Sequence, residues 1–318
     1  MNVVALSGGV GAGKFLRGLV RVVEPRHITA IVNTGDDMTL HGLHISPDLD
    51  SVMYWLSGLA DRDRGWGRAG ESFRALDEVR RLEGPSWFGL GDLDLATHLV
   101  RTHLLSEGKT LSEATAQLTD ALGISVRVVP MSDDPVPTMV HAVADEGEGM
   151  YMHFQVYWVQ RGARDQVKAV RYEGGEEAAP APGVGEALAG ADAILICPSN
   201  PVASIRPILA VSGIRDHLET ARRGGTGVVG VSPIIGGAPL RGMADRLMPA
   251  VGLEVSAFGA AAAYPGLLTG WVVDERDGDM APRIRDELGL RVATTDSVMA
   301  DDDDAERVAR VALELAAG

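Results

Sequence analysis

Apolar residues run together at 3–6, break at a series of glycines, resume with helical spacing at Phe15, Leu16, Leu19, Val20 and Val23, and run together again over 28–32. Short continuous apolar runs suit strands buried on both faces, and i, i+3, i+4 spacing suits a helix with one face in a core. The pattern predicts a strand over 2–6, a turn over 7–13, a helix over 15–23 and a second strand over 28–32. That is a βαβ opening with a right-handed crossover.

Helical spacing dominates the middle of the chain, over 71–82, 92–105 and 112–122, the last with Ser112 as its cap. β-like runs follow at 126–129, 139–143 and 167–172. After a Gly-, Glu-, Ala- and Pro-rich stretch at 173–185, read as a loop, the α/β rhythm returns with strands at 191–197, 227–231 and 271–273. A last helix is predicted over 305–316, with the acidic run 301–304 serving its N-terminus. The expected architecture is α/β, a Rossmann-like open and mainly parallel sheet. It forms a single domain over 1–318, with a helical and β insertion at about 66–175.

Composition narrows the function. Twenty-nine basic against forty-four acidic residues leave a net charge of −15, the wrong sign for gripping nucleic acid or an anionic membrane with the whole surface. An anionic substrate must be met locally, by backbone NH groups, a few cations or a divalent metal. The lone cysteine, Cys197, excludes an internal disulfide and a cysteine zinc cluster, and it closes an apolar run where a packing role is expected. Reduced cysteine and the lack of an apolar run of about 18 residues point to a cytoplasmic chain without a membrane span.

The glycine series is the first candidate for chemistry. Gly8-Gly9-Val10-Gly11-Ala12-Gly13-Lys14 follows a strand and opens a helix, where glycines let backbone NH groups approach a phosphate. Gly8, Gly13 and Lys14 match the first positions of a P-loop, but Phe15 stands where that motif needs a magnesium-binding hydroxyl. A dinucleotide fingerprint fails at its third glycine, which falls on Lys14. Phosphate binding is favoured over a bare turn, with the nucleotide class open. A kinase or NTPase, and a non-catalytic nucleotide sensor, are the rival readings.

Metal ligands must then come from elsewhere. Asn33-Thr34-Gly35-Asp36-Asp37 follows the second strand, at the edge where open α/β sheets bind ligands, and Pro47-Asp48-Leu49-Asp50-Ser51 begins the next helical stretch. Carboxylates from two loops beside a phosphate turn suit a hard cation such as magnesium (Mg2+), with Asp37 and Asp50 the first choices. Asx turns and helix capping are the competing roles for these aspartates. His98 and His103, five apart, do not share a helix face and are read as structural or substrate-positioning groups.

With Trp87-Phe88-Gly89-Leu90-Gly91-Asp92, Asp94-Leu95-Ala96-Thr97-His98, His153-Phe154-Gln155, Ser199-Asn200-Pro201 and Ser232-Pro233-Ile234-Ile235-Gly236-Gly237, these motifs in their order resemble the 2-phospho-L-lactate transferases of coenzyme F-420 synthesis. The resemblance implies a homodimeric transferase acting on the deazaflavin alcohol Fo and a GDP-activated three-carbon acid, phospholactate or phosphoenolpyruvate. It releases GMP and forms F-420-0 or its dehydro form. It further implies phosphate and nucleotide contacts from Gly8, Gly9, Gly11, Lys14, Asn33, Thr34 and Gly35. Magnesium would lie on Asp37 and Asp50, with Asp50 also orienting the attacking hydroxyl. Ser199, Asn200, Pro201, Pro233, Gly236 and Gly237 would wall the substrate pocket. This chain departs from the family pattern at Gly11-Ala12-Gly13 and at Leu93, where the family commonly has a cation; Arg101 and Arg241 are the candidates to replace that charge.

Overall fold

Alternation within the strands builds two cores. Val3 and Ala5 of β1 (Val3–Ser7) face one layer and Val4 and Leu6 the other, so one parallel sheet is covered on both sides. The computed structural model describes residues 1–144 and 148–318. Its further strands in chain order are β2 (Ile28–Val32), β3 (Met38–Leu40), β4 (Leu43–Ile45), β5 (Arg127–Pro130), β6 (Thr138–Val143) and β7 (Met150–His153). β8 (Gln166–Tyr172), β9 (Ala193–Ile196), β10 (Gly227–Val231), β11 (Ile234–Ile235), β12 (Ala238–Pro239), β13 (Gly270–Asp274) and β14 (Arg291–Thr295) complete the set. A seven-stranded sheet of order β14-β13-β10-β9-β1-β2-β5, parallel throughout, forms the body. The α/β expectation therefore stands.

α1 (Gly9–Val22) and the C-terminal helix Asp302–Ala317 lie together on one face, where Phe15, Leu16, Leu19, Val308, Ala309 and Ala312 close one core. Asp301 caps the C-terminal helix through Asp303 N and Asp304 N, as the acidic run suggested. Among the described residues no helix is long and apolar enough to cross a membrane.

The middle differs from its expectation in three ways. β5 is an edge strand of the main sheet, paired with β2, so the expected insertion is interrupted where the chain rejoins the body. α5 (Leu111–Ala121) is capped by Thr110 in a capping box with Glu113; Ser112 instead bonds Asp133. α3 (Arg74–Arg81) starts later than predicted because Glu71 and Ser72 are spent elsewhere. Glu71 accepts the NH groups of Leu93 and Asp94 at the start of α4 (Asp92–Ser106), and Asp92 bonds Ser72 and the NH groups of Arg74 and Ala75. This reciprocal capping ties the starts of α3 and α4 together, while Asp50 and Tyr54 of α2 (Pro47–Leu56) bond Arg101 and Asp94 of α4. A three-stranded antiparallel sheet, β7-β6-β8, is anchored on the loop after β2, where Thr138 N donates to Gly35 O at 2.7 Å.

Candidate active site

The carboxyl ends of β1, β2 and β9 meet at one edge, and most of the sequence-predicted residues meet there with them. The predicted glycine turn is the first turn of α1, which starts at Gly9 rather than at residue 15. Packing explains why so poor a helix former is helical here. A Cβ on Gly8 would lie 2.5 Å from Ser204 Cβ and 2.7 Å from Asp48 Oδ2, one on Gly11 would collide with Pro198 O, and Gly9 has a φ of +67°. Ser199 Oγ donates to Gly8 O at 2.8 Å, and Asn200 Oδ1 accepts Val202 N and Ala203 N, opening the π-helical turn Pro201–Ile205.

Asn33 organises the acidic side. Its amide donates to Asp48 Oδ2 at 2.8 Å and more weakly to Ala203 O and Asp36 Oδ1, while its Oδ1 accepts Gly35 N at 2.8 Å. Gln155, just beyond β7, donates to Asp36 Oδ2 at 2.8 Å, and His153 Nε2 lies 3.0 Å from Asp37 O. Asp37 Oδ2 meets His44 Nε2 at 3.0 Å and accepts Ser46 Oγ at 2.7 Å, while its buried Oδ1 has no partner among the described residues.

Burial and mutual repulsion set the electrostatics of these groups. Burial, then the charges of Asp48 and Asp37, raise Asp36 well above the ordinary carboxylate range. Burial likewise raises Asp37, against its bonds to His44 and Ser46. Asp48 is pushed up to about 7 by burial and Asp37, although Asn33 and the Gly9 NH bond its carboxylate. The start of α1 is therefore already occupied by a carboxyl of the chain itself, that of Asp48.

Asp50 faces the other way. Arg101, with no exposed side chain, grips both Asp50 oxygens, and His98 Nδ1 lies 3.5 Å from Asp50 Oδ2. His98 Nε2 lies 3.4 Å from Asp94 Oδ1, which accepts Tyr54 OH at 2.6 Å. Burial works against charge on Asp94, but His98, Tyr54 and Arg101 hold its carboxyl below its ordinary value. One ligand atom each from Asp50, Asp94 and His98 lie within 4.8 Å of one another, a group able to hold a metal ion. Asp94 and His98 were not among the predicted ligands. Their i, i+4 spacing on α4 was the available signal, passed over for the spacing of the two histidines.

Other predicted residues have different surroundings. Lys14 donates to Met299 O at 3.0 Å and sits 5.5 Å from the Trp55 ring centre. Gly236 N and Gly237 N, beyond Pro233 in the β11–β12 hairpin, donate to Asp277 at 2.7 and 3.0 Å. Thr34 Oγ1 is buried without a partner among the described residues. Phe15 is fully buried in the core beneath α1, so the P-loop's metal-binding position is filled by packing. Arg101 is committed to Asp50 and is not available to replace the charge missing at Leu93.

The sequence profile described as "2-phospho-L-lactate transferase CofD" matches residues 3–314. The chain belongs to this family. It is 48% identical over 318 residues to a phosphoenolpyruvate transferase of Streptomyces coelicolor, covering 99% of this chain and 98% of that one. It is 38% identical over 312 residues to a 2-phospho-L-lactate transferase of Methanosarcina mazei, covering 98% and 99% respectively. Among solved structures, a UPF0052-family protein from Bacillus halodurans matches with a TM-score of 0.62 at 18% identity, covering 98% of each chain, a likeness of fold. The chain is thus an enzyme, a transferase of the family's phosphotransfer type.

Proposed function

We propose that the enzyme joins the phosphoenolpyruvyl or phospholactyl group of a GDP-activated donor to the terminal hydroxyl of Fo in coenzyme F-420 synthesis. The acceptor oxygen bonds the β-phosphorus, the bond to GMP breaks, and the hydroxyl proton passes to a carboxylate. The product is F-420-0 or dehydro-F-420-0. Phosphoenolpyruvate is the favoured acid because the 48% identical Streptomyces relative carries that name. The observation that carries the reading is the meeting of the α1 start, the loop after β2 and the α2 start at one sheet edge, with buried carboxylates gathered between them.

Magnesium is assigned to Asp37, which offers an unpartnered buried oxygen, and to Asp50, which belongs with Asp94 and His98 to the group able to hold a metal ion. When bound, the ion neutralises phosphate oxygens as charge shifts to the leaving GMP. Asp50, oriented by Arg101, aligns the acceptor hydroxyl; Gly8, Gly9, Gly11, Asn33, Thr34 and Gly35 shape the wall against the diphosphate, and Lys14 supplies positive charge. Ser199, Asn200, Pro201, Pro233, Gly236 and Gly237 frame the substrate mouth. The enzyme acts in the cytoplasm as a homodimer, which light scattering in solution would measure.

Incubation with Fo, magnesium and enzymatically made donor should yield the phosphodiester and GMP, identified by mass. Folded protein that forms neither product would overturn the reading, and parallel donors identify the acid.

A further inference from the structure

We propose that Asp274 and Asp277, at and just beyond the end of β13, are positioning residues for two loops of the site edge. Asp274 holds the loop 296–299, which carries the backbone partner of Lys14, and Asp277 holds the β11–β12 hairpin. The proposal deepens the transferase reading and rests on it. In the sheet order β14-β13-β10 the parallel strands deliver their following loops side by side at the carboxyl edge, so the segment after β13 lies between the other two. One carboxylate serves each side.

Asp277 is buried in the 3₁₀ turn Glu275–Met280, where the backbone leaves helical geometry at φ −111° and ψ 16°. Its oxygens accept Gly236 N and Gly237 N, one each. Both glycines have positive φ, +61° and +77°, the geometry of a two-residue hairpin turn, and adjacent NH groups in such a turn form a concavity for an anion. The carboxylate of Asp277 fills it, so these NH groups face the chain rather than a substrate. The hairpin is too short to hold itself: it has two residue pairs, Ile234 with Pro239 and Ile235 with Ala238, and Pro239 has no NH to give. Its base is tied by Ser232 N to Val272 O at 2.9 Å, and its tip rests on Asp277. Just beyond β12, Arg241 donates to Arg64 O at 2.9 Å, so the hold on the tip extends to the turn after α2.

Asp274 is buried too. Its Oδ2 accepts Ser297 N at 2.8 Å and Ser297 Oγ at 2.9 Å, and its Oδ1 accepts Arg276 N at 3.0 Å. Burial works against charge on Asp274, but these bonds and the Arg276 guanidinium hold its carboxyl below its ordinary value. The loop 296–299 has no regular structure, and two residues after Ser297, Met299 O accepts Lys14 Nζ at 3.0 Å. Asp274 thereby sets the backbone on which Lys14 rests. A carboxylate open to a phosphate-binding edge would repel its ligand, whereas both of these are buried with their oxygens committed to the loops, which suits support rather than contact.

The test pairs steady-state kinetics of the intact enzyme, with Fo and enzymatically made donor, with hydrogen exchange read by mass. Variants are Asp277→Ala, Asp277→Asn, Asp274→Ala and Ser297→Ala, with Asp279→Ala as an exposed control from the same turn. Asp277→Asn keeps one acceptor oxygen and Ser297→Ala keeps the Ser297 NH bond, so each loop has a milder variant where an aspartate-to-alanine change fails to fold. Thermal midpoints check folding. Asp277→Ala should raise the KM of at least one substrate about fivefold or more with kcat within about twofold, the mark of lost binding rather than lost chemistry. Asp277→Asn should fall between it and wild type. Asp274→Ala and Ser297→Ala should raise the KM of the donor, and Asp279→Ala should match wild type. Exchange should quicken at 236–241 in the Asp277 variants alone and at 296–300 in the Asp274 and Ser297 variants alone. Unchanged KM in every folded variant would overturn the proposal even if midpoints fall, and so would a drop in kcat at constant KM. Quickened exchange in both loops whichever carboxylate is removed would overturn the separate holds. Folded wild type that forms no product would overturn the transferase reading beneath, and exchange alone would then decide whether the two carboxylates hold the loops.

Discussion

Replacing Arg101 with Met is the sharpest probe of the buried site. Arg101 and Asp50 have side-chain exposures of 0% and 6%, so the pair is not screened as a surface ion pair would be. Removing one partner leaves the other charge buried, which costs about 3–5 kcal/mol in such pairs. For 318 residues, an unfolding entropy of about 2.1 cal/mol/K per residue converts that cost to a fall of roughly 5–8 °C in the thermal midpoint. Asp50→Asn/Arg101→Met removes both charges and should recover at least half of the loss, giving a coupling energy above about 1 kcal/mol in a double-mutant cycle. The assay is urea and thermal unfolding of the four proteins at neutral pH without divalent ions. A single-variant cost under about 1 kcal/mol, or strict additivity in the cycle, would refute the claim that this pair holds Asp50 in place.

Three other outcomes follow from the same geometry. Asp48, raised from 3.8 to about 7, contributes stability that is full below its unfolded value and lost as pH rises through 7. Asp48→Asn should therefore raise the metal-free thermal midpoint at pH 8 and match wild type near pH 4; equal midpoints at both pH values would refute it. Magnesium at many times its Kd should raise the midpoint by mass action, and Asp37→Asn should lose most of that rise in a thermal melt. Phe15→Ser, which completes the P-loop pattern on paper, should cost about 3–5 kcal/mol through its cavity and yield no ATP or GTP hydrolysis; measurable hydrolysis would revive the kinase reading.

The body of the fold was legible because its strands are buried on both faces: 227–231 was read to the residue and β1 to within one. β14 escaped because Arg291 and Thr294 are exposed and only Thr295 is fully buried, the pattern of an edge strand with little periodicity. The β3–β4 hairpin escaped because its strands are three residues long. The glycine run was misread as a turn because intrinsic propensity argues against helix there. Contacts with Pro198, Ser204 and Trp55 decide otherwise, and none of these is near in sequence. The same distance hid Asp94, His98 and Arg101, whose significance exists only once α4 lies against α2.

The charge argument from composition also acquires a shape. A chain of net charge −15 was expected to meet an anion locally, and two adjacent helices carry groups of opposite charge along their length. At their starts, Asp48 and Asp50 on α2 and the Asp48-bound Gly9 NH on α1 make an acidic end that repels phosphate unless a cation intervenes. About 8–10 Å further along, by the rise of an α-helix, Lys14 on α1 and Trp55 on α2 mark a basic end completed by Arg62 and Arg241. At the acidic end Asp37 Oδ1 lacks a partner, and at the basic end Lys14 and Arg241 bond only backbone oxygens among the described residues. One ligand answers both demands when it carries a divalent cation at one end and phosphate oxygens at the other, so magnesium and the nucleotide should bind with positive coupling. The reciprocal measurement is available: magnesium should tighten GDP binding, and GDP should tighten magnesium binding by the same factor. Asp37→Asn should erase that factor while leaving magnesium-free GDP affinity in place, and independence of the two ligands in wild type would break the bipolar reading of the edge.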